Sequence, residues 1–277
     1  MRPAQVVRRA AAYLERHGVD APLATAEQLL ASALDTDRAG LYRRAEPLHG
    51  AEAKAFGRVL CSRCAGTPTQ HLTGEAGFRH LTVTVRPGVF VPRPETEVVV
   101  DVALEVVRSV ESPVVVDVGT GSGVIALAIK HERADASVWA VDVSSEALAL
   151  ARENASRNGL DIELVQGDLV ENLPRSLRGS SDLVVANPPY IEPGDYDSLP
   201  REVRADPVQA LVGGVPVYER LFAQARSLLR PGGSVVVEIG SQQAEAVVAL
   251  AIEAGATDVS VRPDLAGRDR VVAATWP

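Results

Sequence analysis

The residues in this chain with the most specific chemistry are Asn187-Pro188-Pro189-Tyr190. Two consecutive prolines fix φ twice and remove two backbone donors, so the turn offers acceptors: the Asn187 side-chain oxygen and the neighbouring carbonyls. A rigid set of acceptors suits an NH2 group. Tyr190 adds a flat apolar face against which a planar amide or a base stacks. The plainer alternative is a proline-stiffened turn in which Asn187 caps itself. The apolar run from Asp182 to Ala186 predicts a buried strand, so the motif falls just past a strand's carboxyl end, where open α/β sheets bind ligands.

A second constellation is Asp117-Val118-Gly119-Thr120-Gly121-Ser122-Gly123, between a predicted strand and a predicted helix. Glycines let the turn bend tightly and let a ligand approach the backbone, while the helix amino end presents N–H groups. The spacing is Gly-x-Gly-x-Gly, which differs from the dinucleotide fingerprint. Asp142, at the end of the next strand, suits ribose hydroxyls, and Asp168, after the third strand, suits an adenine edge. Each alone also reads as an ordinary loop carboxylate. Together they imply an adenosine-bearing cofactor, and leave open whether it is NAD or S-adenosylmethionine.

Alternating strands and helices must position these groups. Val114 to Val118, Val138 to Val141, Ile162 to Val165, Leu183 to Ala186, Ser234 to Ile239 and Val271 to Thr275 read as strands. Val124 to His131, Ser145 to Asn158, Val217 to Leu229 and Gln242 to Ala254 read as helices, and Pro94, Glu95 and Glu97 suit a helix's first turn. This alternation predicts an α/β fold with a mostly parallel sheet covered on both faces. Upstream, helical periodicity over Val6 to Arg16 and Thr25 to Leu34, and a helix from Glu46-Pro47-Leu48 towards Cys64, predict a small bundle. Strand-like residues at Phe78 to Val85 and Val89 to Val91, around Arg86-Pro87-Gly88, predict a β-hairpin. The expected domains are residues 1–65, a linker at 66–92, and residues 93–277.

The 277 residues, 46% hydrophobic, suffice for a large domain and a small one. Residues 1–90 carry 12 Lys and Arg against 8 Asp and Glu, whereas residues 91–277 carry 16 against 28, so the two parts face different partners or one partner with two faces. No dense basic run is present, which argues against stable nucleic-acid binding. The longest apolar runs fall short of the roughly 18 residues that span a bilayer, and the first residues lack a signal-peptide core, which together predict a cytoplasmic protein. Cys61 and Cys64 have Cys-x-x-Cys spacing but no second ligand pair nearby, so no metal site is expected.

The glycine loop, Asp142 and Asn187-Pro188-Pro189-Tyr190 together resemble a class I S-adenosylmethionine-dependent methyltransferase acting on an NH2 group. Gln70-His71-Leu72-Thr73-Gly74, Phe90-Val91-Pro92-Arg93-Pro94-Glu95-Thr96-Glu97, Ala210-Leu211-Val212-Gly213-Gly214 and Asp264-Leu265-Ala266-Gly267-Arg268-Asp269-Arg270 are similar to the PrmC/HemK family. That resemblance runs from about Gln70 to Thr275. It implies a Rossmann-like domain that methylates the side-chain amide of a glutamine, in a Gly-Gly-Gln motif, of peptide chain release factors. It also implies that Gly119, Thr120, Gly121, Ser122, Gly123 and Asp142 hold S-adenosylmethionine, that Asp168 and Leu169 lie at its adenine, and that Asn187 borders it. Asn187, Pro188, Pro189 and Tyr190 would hold the glutamine, and the amino-terminal helices would recognise the protein substrate. Some family members carry an aromatic residue where this chain has Leu169, a departure that offers adenine an aliphatic contact in place of an aromatic ring. The competing readings are an amino methyltransferase of adenine or guanine in nucleic acid, a dinucleotide oxidoreductase, and a non-catalytic adapter with the same fold.

Overall fold

The three- and four-residue apolar spacing at the start of the chain folds as a helical unit, Met1–Glu75, to which Pro200–Ala205 also belong. A computed structural model describes residues 1–277. Helices α1 (Pro3–Arg16), α2 (Pro22–Ala33), α3 (Arg38–Arg43), α4 (Gly50–Cys64) and α5 (Thr69–Thr73) close on Val7, Leu14, Leu29, Leu30, Leu41 and Phe56. Pro3 and Pro22 occupy first turns, where a missing N–H forfeits no helical bond. The helix expected from Glu46 starts instead at Gly50, because Glu52 reaches back to the His49 N–H at 2.7 Å and Arg44 holds that carboxylate at 2.8 Å. Helices of six and five residues are too short to show a period, so α3 and α5 leave no sequence signal. Buried Arg63, on α4, pairs with Glu202. Cys61 and Cys64 are free thiols.

The second unit is Ala76–Leu199 with Asp206–Pro277. It opens with a hairpin of β1 (Glu75–Phe78) and β2 (Leu81–Thr84), whose turn is Arg79-His80 and not the expected Arg86-Pro87-Gly88. Arg79 tolerates a left-handed φ of 51° because its N–H donates to Glu97 at 2.9 Å and its guanidinium to Asp101 at 2.6 Å and Glu132 at 2.9 Å. Val89 to Val91 is not a strand; the Val91 N–H donates instead to buried Asp206 at 3.0 Å.

The expected alternation follows: α6 (Glu97–Val106), β3 (Val114–Val118), α7 (Val124–Glu132), β4 (Ser137–Asp142), α8 (Ser145–Asn158), β5 (Glu163–Gln166), β6 (Ser181–Ala186), α9 (Val208–Leu211), α10 (Pro216–Ala225), β7 (Leu229–Glu238), α11 (Ala244–Glu253), β8 (Asp258–Pro263) and β9 (Asp269–Thr275). The sheet order is β5-β4-β3-β6-β7-β9-β8, parallel except at β9, which runs antiparallel to both its neighbours. The chain moves outward from β3 through β4 and β5, then returns to β6. That reversal opens the crevice in which such sheets bind ligands.

Both faces are covered. Leu183 and Val185 of β6 join the α6 and α7 side chains in one apolar cluster, while Val184 and Ala186 join α10 and α11 in the other. A strand buried on both sides must be apolar throughout, as β6 nearly is. By the same period of two, Asn187 continues the α6 side of β6, and Glu238 continues the side of Val236 on β7. Edge strand β8, half exposed and carrying Asp258, Ser260 and Arg262, was not legible as a strand. No helix is long and apolar enough to cross a membrane.

Candidate active site

Strand register lines up the chemistry. Val118 pairs with Val141 and with Ala186, and Ala186 pairs with Val237. The next residue on each strand is therefore Gly119, Asp142, Asn187 or Glu238, side by side at the carboxyl edge. Asp142 pairs in turn with Gln166, which brings the loop bearing Asp168 and Leu169 to the same edge.

Within the glycine loop, the Gly119 and Thr120 N–H groups donate to Val141 O at 2.8 and 3.0 Å, and the Gly121 N–H donates to Asp142 Oδ2 at 2.8 Å. These three N–H groups hold the loop's shape. What the loop offers is open backbone: Gly119 and Gly121 have φ of 72° and 56°, and a Cβ built on either meets nothing within 4 Å. Gly123 differs, since its Cβ would press on Ala151 at 3.1 Å; there the glycine lets α7 and α8 approach. Thr120 and Ser122 are buried, with the Thr120 hydroxyl donating to Asp117 Oδ2 at 2.6 Å.

Burial pushes the Asp117 carboxyl up to about 7, against the pull of hydrogen bonds from Thr120 and the Ala126 N–H, and the Asp142 charge pushes the same way as burial. Its Oδ1 is buried without a protein partner. Asp142 Oδ1 accepts from the Ser144 N–H at 2.9 Å, and each Asp142 oxygen keeps a lone pair for a hydroxyl donor. Val143, 61% exposed beside it, was not singled out from sequence; with Leu169, partly buried at a φ of 53°, it supplies apolar surface for a planar base. Asp168 instead pairs with Arg220 of α10 at 2.6 Å, so an adenine contact there must share it with Arg220. Open glycines, an acceptor pair and apolar walls fit an adenosine with a charged sulfonium.

Asn187 sits half-buried after β6. Its Nδ2 donates to Thr96 Oγ1 at 3.1 Å, and Thr96 Oγ1 donates to Glu238 Oε2 at 2.7 Å. This leaves Asn187 Oδ1 as the acceptor. Pro188 is buried, while Pro189 and Tyr190 are partly exposed. Burial pushes the Tyr190 phenol up to about 12, so it stays neutral.

The turn is braced from outside. Gln243 Nε2 donates to Tyr190 O at 2.8 Å. The Ile191 N–H donates to Leu211 O at 2.9 Å, and the Gly213 N–H returns to Ile191 O at 3.1 Å. Behind β7, the Ile239 N–H donates to Arg270 O at 2.8 Å, and buried Arg270 reaches Asp264 at 3.3 Å. Arg93 pairs with buried Asp206 and stacks over Phe90 at 5.3 Å, which fixes the segment leading to Thr96. Thr96, Glu238 and Gln243 were not singled out as site residues. A carboxylate closing the apolar run from Val235 was the available signal for Glu238.

A glycine loop, an acidic strand end and a rigid amide acceptor along one edge of this doubly wound sheet define a class I methyltransferase. A family model described as Methyltransferase small domain matches residues 80–260, and one described as PrmC N-terminal domain matches residues 5–74. The release factor glutamine methyltransferase of Moorella thermoacetica is 44% identical over 273 residues, covering 96% of this chain and 94% of its own length. That of Deinococcus radiodurans is 41% identical over 271 residues, covering 96% and 95%. The chain belongs to the release factor glutamine methyltransferase family. Among solved structures, the ribosomal protein L11 methylase of Lactobacillus delbrueckii subsp. bulgaricus shares the fold, with a TM-score of 0.53 at 24% identity over 73% of this chain and 98% of that one.

Proposed function

We propose that this protein transfers the methyl group of S-adenosyl-L-methionine to the side-chain amide nitrogen of a glutamine in a peptide chain release factor. The observation that carries this is the Asn187 amide, anchored through its nitrogen to Thr96 and left with its oxygen as acceptor. When bound, the cofactor supplies a methyl already activated by the sulfonium. Gly119, Gly121 and Asp142 would hold it, Val143 and Leu169 would offer apolar surface to its adenine, and the product of the transfer would be S-adenosyl-L-homocysteine. Asp168 contributes at the adenine edge, with Gly123, Thr120 and Ser122 shaping the loop.

An amide nitrogen is a poor nucleophile because its lone pair is delocalised, so alignment does much of the work. Asn187 Oδ1 and the Pro188 carbonyl accept the two N–H bonds of the substrate amide. These acceptors favour the positive charge that grows on nitrogen during transfer. Pro189 stiffens the turn, and Tyr190 offers its ring face to the amide plane. No base has to act first, because the methylated nitrogen is acidic and releases its proton readily.

The helical domain, residues 1–65, recognises the release factor, with 66–92 as linker and 93–277 as transferase. In support, exposed Arg8, Arg9 and Arg16 line α1. Purified protein, labelled methyl donor, and either release factor or nucleic acid test the proposal. Mass spectrometry should place the methyl on one glutamine side chain; label in nucleic acid, or none in release factor, would overturn it.

A further inference from the structure

An asparagine presents its oxygen or its NH2 according to a half-turn of the amide, and the two ends differ chiefly in hydrogen bonding. Here the choice falls to two residues that need not touch substrate. Thr96 is 3% exposed and Glu238 is 1% exposed, and they link Asn187 to the end of β7. Granting amide transfer as the reaction, we propose that Thr96 and Glu238 are positioning residues: a one-way hydrogen-bond relay that holds Asn187 with its oxygen towards the substrate, and that protonation of Glu238 undoes.

An ionised carboxylate only accepts, so the Thr96 hydroxyl proton must point at Glu238 and the Thr96 lone pair must face Asn187. Only the Asn187 NH2 can satisfy that lone pair, which turns Oδ1 to the site. A protonated Glu238 can itself donate to Thr96 Oγ1. The Thr96 proton is then free to swing to Asn187 Oδ1, and the amide can invert. An inverted Asn187 presents N–H groups to the N–H groups of a glutamine, and the alignment is lost.

The surroundings place this switch in an accessible range. Burial pushes the Glu238 carboxyl up to about 7, against the Thr96 hydrogen bond, the Arg270 charge and the Tyr190 phenol, while Glu95 pushes it further up. Tyr218 donates to the Glu238 backbone oxygen at 2.9 Å, and burial holds its phenol well above the ordinary range, so it stays neutral. Thr96 and Asn187 carry no titratable side chain, which leaves Glu238 as the group in the relay that titrates.

The test uses full-length protein and two readouts. The first is single-turnover methyl transfer to release factor at saturating cofactor across pH. The second is the pH dependence of the Asn187 side-chain NH2 signals by 15N NMR without substrate, assigned by their loss in Asn187→Ala. The parent rate should fall as pH drops through about 7, and the NH2 signals should shift with the same midpoint. Thr96→Val should slow transfer about 10- to 100-fold, the range for losing a group that orients a reacting or ligating side chain. Its KM for release factor should hold and its NH2 signals should no longer titrate. Thr96→Ser, which keeps the hydroxyl, should restore both, and Glu238→Gln should abolish the acid limb at a reduced rate. If Thr96→Val keeps the parent rate, or Thr96→Ser fails as Val does, or the NH2 signals ignore pH, the relay is wrong. Absence of glutamine methylation by the parent would instead defeat the proposed reaction, and the NMR arm would still report on the relay.

Discussion

Alanine at Gly213 perturbs the Asn187 turn through Pro189, with no change to Asn187 itself. A Cβ there would lie 2.4 Å from Pro189 O and 3.0 Å from Pro189 Cγ, where ordinary contact begins at 3.4 Å. The Pro189 carbonyl must therefore retreat by about 1 Å, a displacement that costs on the order of a hundredfold when it misplaces a reacting group. Gly213 does not adopt a positive φ, so space is the whole cost. The strain cannot relax outward, because the Gly213 N–H is tied to Ile191 O and the Ile191 N–H to Leu211 O. Overpacking should lower stability by about 1–3 kcal/mol, and kcat should fall about a hundredfold, near 2.7 kcal/mol of barrier. Cofactor affinity should be unchanged. Thermal denaturation, calorimetric titration with cofactor and single-turnover transfer measure the three quantities separately. A folded Gly213→Ala protein that transfers methyl at the parent rate, or that loses cofactor affinity in proportion, would show that methyl transfer does not depend on Gly213 leaving room for the Pro189 carbonyl.

Three further outcomes follow from the site and its supports. Asp142→Ala removes the proposed ribose acceptors and the Gly121 anchor, so cofactor affinity should drop by about 1.5–3 kcal/mol, the range for bonds to a charged group; calorimetry giving parent affinity in a folded variant would remove Asp142 from the site. The Asp117 carboxyl is raised from 3.8 to about 7, so its contribution to stability is full below 3.8 and is lost as pH rises to about 7. Urea denaturation of ligand-free Asp117→Asn should therefore show a smaller loss than the parent between pH 5 and 7.5, and parallel curves would contradict the assignment. Reversing Arg8 and Arg9 to Glu should raise KM for release factor and alter its salt dependence, with kcat unchanged; an unaltered KM would move recognition away from α1.

The sequence disclosed what depends on neighbours along the chain. β6 reads as a strand because all six of its residues are buried, and burial on both faces requires an apolar run broken only at its start. Asn187 could be singled out because the prolines beside it are rare and rigid. What escaped depends on neighbours across the fold. Thr96 and Glu238 are 142 positions apart, and Thr96 and Asn187 are 91 apart, so no local pattern joins them. The hairpin was misplaced because Arg86-Pro87-Gly88 is the stronger local turn signal, whereas the real turn depends on Glu97, Asp101 and Glu132 holding Arg79. Gly213 was visible, but its contact with Pro189 was not.

The decisive variant is Asn187→Ala. It deletes the aimed oxygen without adding bulk, and cofactor affinity is measured alongside so that a binding defect is not taken for a chemical one. In single-turnover transfer to release factor at saturating cofactor, Asn187→Ala should be slower by about a hundredfold or more, as for loss of one oriented group from a preorganised site. Asn187→Asp, which keeps an oxygen but adds a charge that binds ground and transition states alike, should fall between. An alanine variant that transfers methyl at the parent rate would mean that other groups align the amide.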